Sequence, residues 1–286
     1  MSVSWSNPNG VPVNSARPRW APDSVDIERP SAARMYDYYL GGSHNFQADR
    51  RLANEYMRVL PEMPVIAQAQ RGVLTRAVRV MVEAGIDQFL DLGSGMPTTG
   101  NVHEIAQAMN PEVRTVYVDV DPVAVAHGRA LLRDDEGHTG VVHADLRDPA
   151  FVLAQTEVGE LLDLSRPVGV LMIAVLHFVA DADDPAGVVA AYRDVSASGS
   201  YLAITHATSD YQPAMAKNAE EVYLRASHQL HYRTKREIAA LLAGYELVEP
   251  GLVDLIHWRP EPNAGPDPLD GDVTRYSGYA AVGRKP

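Results

Sequence analysis

Apolar positions along this chain follow two different rhythms. From residue 31 to about 86 they recur at helical spacing. "RPSAARMYDYYLGG" predicts a short helix, with Ser31 as N-cap and Gly41 as the left-handed residue that ends it. A second helix is predicted over Ala48 to Leu60, bounded by Pro61 and Pro64. A third runs from Val65 to Glu83, where Ile66, Val73, Leu74, Ala77, Val78 and Met81 share a face and Gly85 closes the segment. Beyond residue 87 short apolar runs alternate with amphipathic helices: "QFLDLG", "VRTVYVDV", "TGVVHADL", "RPVGVLMIAVLHF" and "GSYLAITHA" are the strand candidates. This alternation predicts βαβ units, hence a doubly wound α/β fold with a parallel sheet covered on both faces. The run after Val168 lacks polar alternation, as a central strand buried on both faces should. A helical stretch at Gln212 to Gln229 follows, then a helix opened by a Thr234/Glu237 capping box and ended at Gly244. Two terminal strands, "YELVEP" and "YSGYAAVGRK", flank a Pro- and Gly-rich loop. The predicted organisation is a disordered arm over 1–30, a helical region over 31–86, and an α/β domain over 87–286 with a helical insertion near 212–229.

Composition narrows the field. The 286 residues are 46% hydrophobic and 22% charged, enough to bury a large core without staples. There is no cysteine, which excludes disulfides and thiolate metal sites. A net charge of -12 argues against a general nucleic-acid binder. The Ser-, Asn- and Pro-rich start has no secretory pattern, and "VGVLMIAVLHFVA" is too short to span a bilayer. The expectation is a cytoplasmic, acidic protein with no membrane partner.

The chemistry concentrates in "DLGSGMPTTGN", between a predicted strand and helix. Gly93 and Gly95 allow a tight turn and close approach of a ligand. Where a dinucleotide loop carries its third glycine, this chain has Thr98, preceded by Pro97. Asp91 disfavours an anion at the loop and favours a cationic amine. Asp119 lies about twenty residues beyond, where an acid meets ribose hydroxyls, and Asp145 ends the third strand. Three acids at successive strand ends suit a cationic nucleoside better than a pyrophosphate.

The order "DLGSG", "VDVDP", "HADLRDP" and "VGVLMIAVLHFV" resembles the class I S-adenosylmethionine-dependent methyltransferases, over Gln88 to Lys285. "RPSAARMYDYYLGGSHNFQADR" resembles an actinobacterial branch, the DUF574 or S-adenosyl methyltransferase family. The resemblance implies a Rossmann-like seven-stranded sheet with an antiparallel last strand, S-adenosylmethionine as cofactor, S-adenosylhomocysteine as product, and a small-molecule acceptor. It places Gly93 and Gly95 by the methionine part, oriented by Asp91. Asp119, with Val120 beside it, holds the ribose, Asp145 and Leu146 meet the adenine, and Ala174, Val175 and His177 border the sulfonium. The fourth strand lacks the acid or Asn-Pro-Pro-Tyr/Phe tetrad of amino-group methylation, so that chemistry has no support.

Catalytic groups are less legible, because methyl transfer requires no fixed residue. His177 is either a general base or a satisfied core histidine. Tyr36 and Tyr39 share a helix face with Leu40 and serve either as packing or as groups over a ligand. Tyr38, Asn45, Phe46 and Arg50, around Gly41 and Gly42, read as a lid. The basic run "RASHQLHYRTKRE" is either a solvated face or a site for an anion. His143, His206, His228, His231 and His257 have no metal-ligand spacing. Two other functions fit the pattern less well: an NAD-dependent oxidoreductase, and a non-catalytic S-adenosylmethionine-binding protein. The sequence leaves the acceptor, the methylated atom and the oligomeric state open.

Overall fold

The computed structural model describes residues 17, 18, 21, 25–97, 100–132, 137–262 and 265–286. Three helices come first: α1 (Ala32–Tyr39), α2 (Gln47–Val59) and α3 (Met63–Glu83). α3 begins two residues before the point its apolar spacing predicts, because Pro64 fits a first turn where no N–H is needed. The α/β part follows as β1 (Gln88–Leu92), α4 (Val102–Gln107), β2 (Arg114–Asp119), α5 (Pro122–Leu131), β3 (Thr139–His143), α6 (Pro149–Leu153), α7 (Thr156–Leu161), β4 (Gly169–Met172), α8 (Pro185–Val195) and β5 (Tyr201–Ala207). It ends with α9 (Pro213–Tyr223), α10 (Lys235–Leu241), β6 (Glu246–Leu247), β7 (Val253–Asp254), α11 (Val273–Tyr276) and β8 (Gly278–Arg284). The insertion helix α9 is shorter than the predicted 212–229, and the Thr234/Glu237 box caps α10 as expected. Among the described residues, no helix is long and apolar enough to cross a membrane.

The sheet order is β3-β2-β1-β4-β5-β8-β6, parallel from β3 to β5, with β8 antiparallel to β5. It holds eight strands rather than seven. β6 and β7 pair with successive parts of the same edge of β8, so the two short strands share one lateral position. Pro250 and Gly251 lie in the turn between them, where proline has no N–H to give a ladder.

Period-two alternation sorts each strand onto two cores. Phe89, Tyr117, Leu171 and Ala203 face one core, with Leu74, Val78 and Met81 of α3. Leu90, Leu92, Val118, Val170 and Met172 face the other, with Val188 and Tyr192 of α8 and Ile238 of α10. Asp91 has the parity of Phe89, so β1 delivers its acid to the face beneath α3.

The helices α1 and α2 are tied to the sheet by a buried polar cluster the sequence did not reveal. Arg34 donates to Asp49 (2.9 Å) and to Asp121 (3.0 Å), and all three are buried. Ser31 is the N-cap of α1 by position, but its hydroxyl donates to Asp121 instead of capping. Asp49 also accepts the N–H groups of Ser31 and Phe46. Burial pushes the Asp49 carboxyl up, and the Arg34 guanidinium pulls it back only in part. Ahead of α1, Ala21 and Val25 are buried against Phe46, Met96 and Val123, and Arg17 donates to the Val25 carbonyl. The rest of the arm reading, at residues 1–16, 19–20 and 22–24, lies outside the described residues. Removing Arg34 leaves two buried carboxylates facing each other without a cation. Arg34→Ala is therefore expected to cost about 3–5 kcal/mol of stability in urea unfolding; a loss below about 1 kcal/mol would mean that the cluster does not hold the cap.

Candidate active site

At the C-terminal ends of β1 to β4, where ligands sit in doubly wound sheets, a cavity of about 300 Å³ opens beneath α1 to α3. Every residue named from the sequence for cofactor binding lines it: Asp91, Gly93, Gly95, Asp119, Val120, Asp145, Leu146, Ala174 and Val175. The loop after β1 is built on its two glycines. Gly93 has φ of +72°, and a Cβ there would lie 2.3 Å from a methyl of Val175. Gly95 has φ of +66°, but nothing lies within 4 Å of where its Cβ would stand. One glycine is required by a protein neighbour, the other faces open space.

Asp119 fixes that loop. Its Oδ2 accepts the Gly95 N–H (2.7 Å) and its Oδ1 the Asp121 N–H (2.8 Å). A carboxylate offers about four lone-pair sites, so capacity remains for a diol. Burial raises its pKa to about 6, against the pull of these N–H groups. Burial raises Asp91 further, to about 7, with Asp119 adding repulsion and Arg71 opposing it. Thr98, where the third glycine of a dinucleotide loop would stand, lies outside the described residues; the helix that follows begins at Val102, after Asn101.

Asp145 differs from expectation. Arg147 donates its main-chain N–H (2.9 Å) and Nε (3.1 Å) to Oδ1, and Nε (3.0 Å) and Nη2 (2.6 Å) to Oδ2. Burial works to raise the Asp145 pKa, but these bonds hold it below the usual range. Arg147 is in turn bonded to Asp183 (2.7 Å). Asp145 is thus occupied by its own neighbour, and the adjoining Leu146 carbonyl by the Tyr192 hydroxyl (3.0 Å).

The loop after β4 carries strain of the kind functional sites keep. Ala174 has φ of +55° and donates its N–H to Thr205 (2.8 Å). Arg233, from the basic run read as either a solvated face or a site for an anion, is buried. It donates to the carbonyls of Leu176 and Val179, to Asp181 and to His206 Nε2 (3.0 Å). Because arginine only donates, His206 carries its proton on Nδ1, toward the Ala207 carbonyl. Burial, opposed by that carbonyl and reinforced by Arg233, lowers its pKa to about 3. Burial first, then the nearby His206 and Arg233, also press His177 well below the ordinary histidine range. His177 lines the cavity, yet this environment makes it a weak base.

The proposed lid residues lie elsewhere. Asn45 donates to Asp37 (2.7 Å) and accepts from Arg50, closing the turn between α1 and α2. Phe46 is buried under Arg34, whose guanidinium lies 5.0 Å from its ring centre. Tyr38 accepts from Asn54 at an exposed position. None of the four lines the cavity, whereas Tyr36 and Tyr39 do. Among the described residues, no group of histidines and acids is placed to hold a metal ion.

The two glycines separate structure from binding. Gly93→Ala forces Val175 aside and is expected to lower the melting temperature by several degrees, at about 1–3 kcal/mol. Gly95→Ala meets no protein atom and costs only the left-handed backbone, about 1–2 kcal/mol. It should nevertheless weaken binding of S-adenosylhomocysteine, the product that the sequence resemblance implies, at least tenfold, since its Cβ would stand in the open space of the cavity. Melting curves and calorimetric titrations of both variants check this; unchanged affinity in Gly95→Ala would put the ligand elsewhere.

Comparison with known proteins agrees with the geometry. The chain is 42% identical to a crystallised Thermobifida fusca YX protein provisionally named a methyltransferase, covering 94% of this chain and 99% of that one, with a TM-score of 0.86. It is 39% identical to a DUF574 family protein of Streptomyces avermitilis MA-4680, covering 91% and 99%, with a TM-score of 0.85. No curated protein matches it. The sequence profile of one family matches residues 18–286, nearly the whole length, and the chain belongs to that family, the S-adenosyl methyltransferases.

Proposed function

We propose that the protein transfers a methyl group from S-adenosylmethionine to a small molecule enclosed in the cavity beneath α1 to α3. The observation that carries this reading is that one cavity runs from the strand-end acids Asp91 and Asp119 to an aromatic chamber formed by Tyr39, Tyr56 and Tyr223. A charged, hydrophilic donor and a separate acceptor need two such ends that meet. When bound, the cofactor supplies a methyl group on a positively charged sulfur, which a nucleophile displaces in line.

The residues fit that group. Asp91 presents a buried carboxylate to a cationic amine. Asp119 has lone pairs left for a ribose diol, and the open side of Gly95 leaves room for the chain between them. Arg147 has to turn aside before Asp145 can accept from an adenine amino group. The cavity brings the reactants together, which supplies most of the catalysis such a displacement needs. A strong general base is not part of this reading: burial raises the hydroxyl pKa of Tyr36 and Tyr39, and His177 resists protonation.

The raised pKa of Asp91 makes binding pH-dependent in a defined direction. In the empty site about half of Asp91 is protonated near pH 7. A cationic amine beside it favours the carboxylate and expels the proton. Affinity for S-adenosylmethionine should therefore rise as pH increases toward 7 and level off above it, with proton uptake by the buffer between about pH 5.5 and 7. Calorimetry at pH 6 in two buffers of different ionisation enthalpy measures that proton, and Asp91→Asn should reduce it to the share released by Asp119, whose pKa is raised to about 6. Parallel titrations with S-adenosylhomocysteine and NAD test the cofactor. Binding of NAD alone would favour the oxidoreductase reading and sink this one. Binding of S-adenosylmethionine without methylated product from any acceptor would leave a binding protein.

A further inference from the structure

We propose that the chamber at the far end of the cavity takes an uncharged aromatic acceptor, held by ring packing and by tyrosine hydroxyls. This rests on the methyltransferase reading above. The walls come from separate elements that meet only in the folded chain: Tyr39 of α1, Tyr56 of α2, Ile66 and Gln70 of α3, Tyr223 of α9, and Phe178 after β4. Their rings are already arranged as aromatic partners. Tyr56 and Tyr223 meet edge to face at 5.0 Å, Tyr39 and Tyr56 lie 6.0 Å apart, and Phe178 is 5.6 Å from Tyr223. A flat ring entering this chamber continues the same edge and face contacts, which add to what area burial gives.

The polar groups of the chamber are neutral and incompletely used. The hydroxyls of Tyr39 and Tyr223 pair with each other (3.4 Å), as do those of Tyr56 and Tyr232 (2.9 Å). In a pair of hydroxyls one donates and one accepts, which leaves one O–H of the Tyr39–Tyr223 pair able to donate outward, while the second O–H of the other pair, on Tyr232, donates to Met215 Sδ (4.0 Å). Gln70 is buried, and its amide oxygen has no partner. The chamber therefore offers one O–H donor and an amide, the complement of an uncharged hydroxyl, carbonyl or ring nitrogen.

Charge has no counterpart there. The groups acting electrostatically on Tyr39, Tyr56 and Tyr223 are other tyrosines; Tyr232 alone feels an acid, Glu220, which accepts its main-chain N–H (2.8 Å). The cations of the cavity wall lie at the other end: Arg34 pairs with Asp49 and Asp121, Arg147 with Asp145 and Asp183, and Arg29 sits near His228, which also feels Asp145 and Asp121. Arg71 donates to the Gly100 carbonyl and lies near Asp91. A carboxylate or ammonium in the chamber would lose its water without gaining a partner, and that desolvation is the main barrier to charged ligands.

Three probes with one ring system separate shape from charge: 2-naphthol, 2-naphthoate and 2-(aminomethyl)naphthalene, titrated at pH 7.5 into the full chain with and without saturating S-adenosylhomocysteine. The neutral probe is expected to bind at least tenfold more tightly than either charged one. Ile66→Trp, which fills the chamber, should abolish its binding while S-adenosylhomocysteine still binds. Tyr223→Phe, which keeps the ring, should weaken 2-naphthol about three- to tenfold. Naphthoate or the amine binding as well as 2-naphthol would overturn the proposal, as would 2-naphthol binding unchanged in a folded Ile66→Trp. Failure of S-adenosylhomocysteine to bind the wild type would instead count against the methyltransferase reading, and the probe titrations of the empty protein would still decide the chamber's chemistry.

Discussion

The Asp121 carboxyl is where the sheet, the helical cap and the ligand site meet. Its main-chain N–H donates to Asp119 (2.8 Å), its Oδ1 caps α5 through the Val123 N–H (2.8 Å), and its Oδ2 accepts from Arg34 and Ser31. Asp119 in turn accepts the Gly95 N–H. A continuous chain of hydrogen bonds therefore runs from α1, through the β2–α5 turn, to the glycine loop after β1. A buried ion pair stabilises little on balance, because removing its charges from water costs nearly what their attraction returns. Its consequence here is geometric: α1 and α2 have one place to sit, over the strand ends, because only there is Arg34 matched by two acids.

That placement determines the chemistry of the cavity. The sheet alone offers acids and open backbone, a surface suited to a polar cation. The cap adds tyrosines and aliphatic residues, and α9 contributes Tyr223. Between them the cavity changes from carboxylate-lined to aromatic over the width of one ligand. The same burial explains the shifted groups. Asp91 and Asp119 are pushed toward neutral pH because the cap shields them from water, and His177 is kept neutral first by its own burial, with His206 and Arg233 adding to it.

Residues that looked like moving parts are framework. Gly42 is tight against Asp37, whose Oδ1 would lie 2.0 Å from an added Cβ, and Asp37 accepts from both Asn45 and the His44 N–H. The turn from α1 to α2 is a closed hydrogen-bonded unit. Arg233 is a similar case: placed in a basic run, it holds the strained turn after β4 through the carbonyls of Leu176 and Val179.

The sequence by itself determined the doubly wound sheet, the order of its parallel strands' elements, and the loop acids Asp91, Asp119 and Asp145 with Gly93 and Gly95. These depend on local spacing: alternation fixes a strand's faces, a glycine marks a left-handed turn, and acids at strand ends fall into the crevice by topology. What only the tertiary structure decided involves partners distant along the chain. Asp145 is occupied because Arg147 folds back on it and is anchored by Asp183. β6 and β7 share one edge position because β8 is long enough to pair with both. Tyr39, Tyr56 and Tyr223 form one wall because Arg34 docks α1 and α2 beside α9. Burial, and with it charge state and pairing, is a property of the assembled neighbours, and no window of sequence contains them.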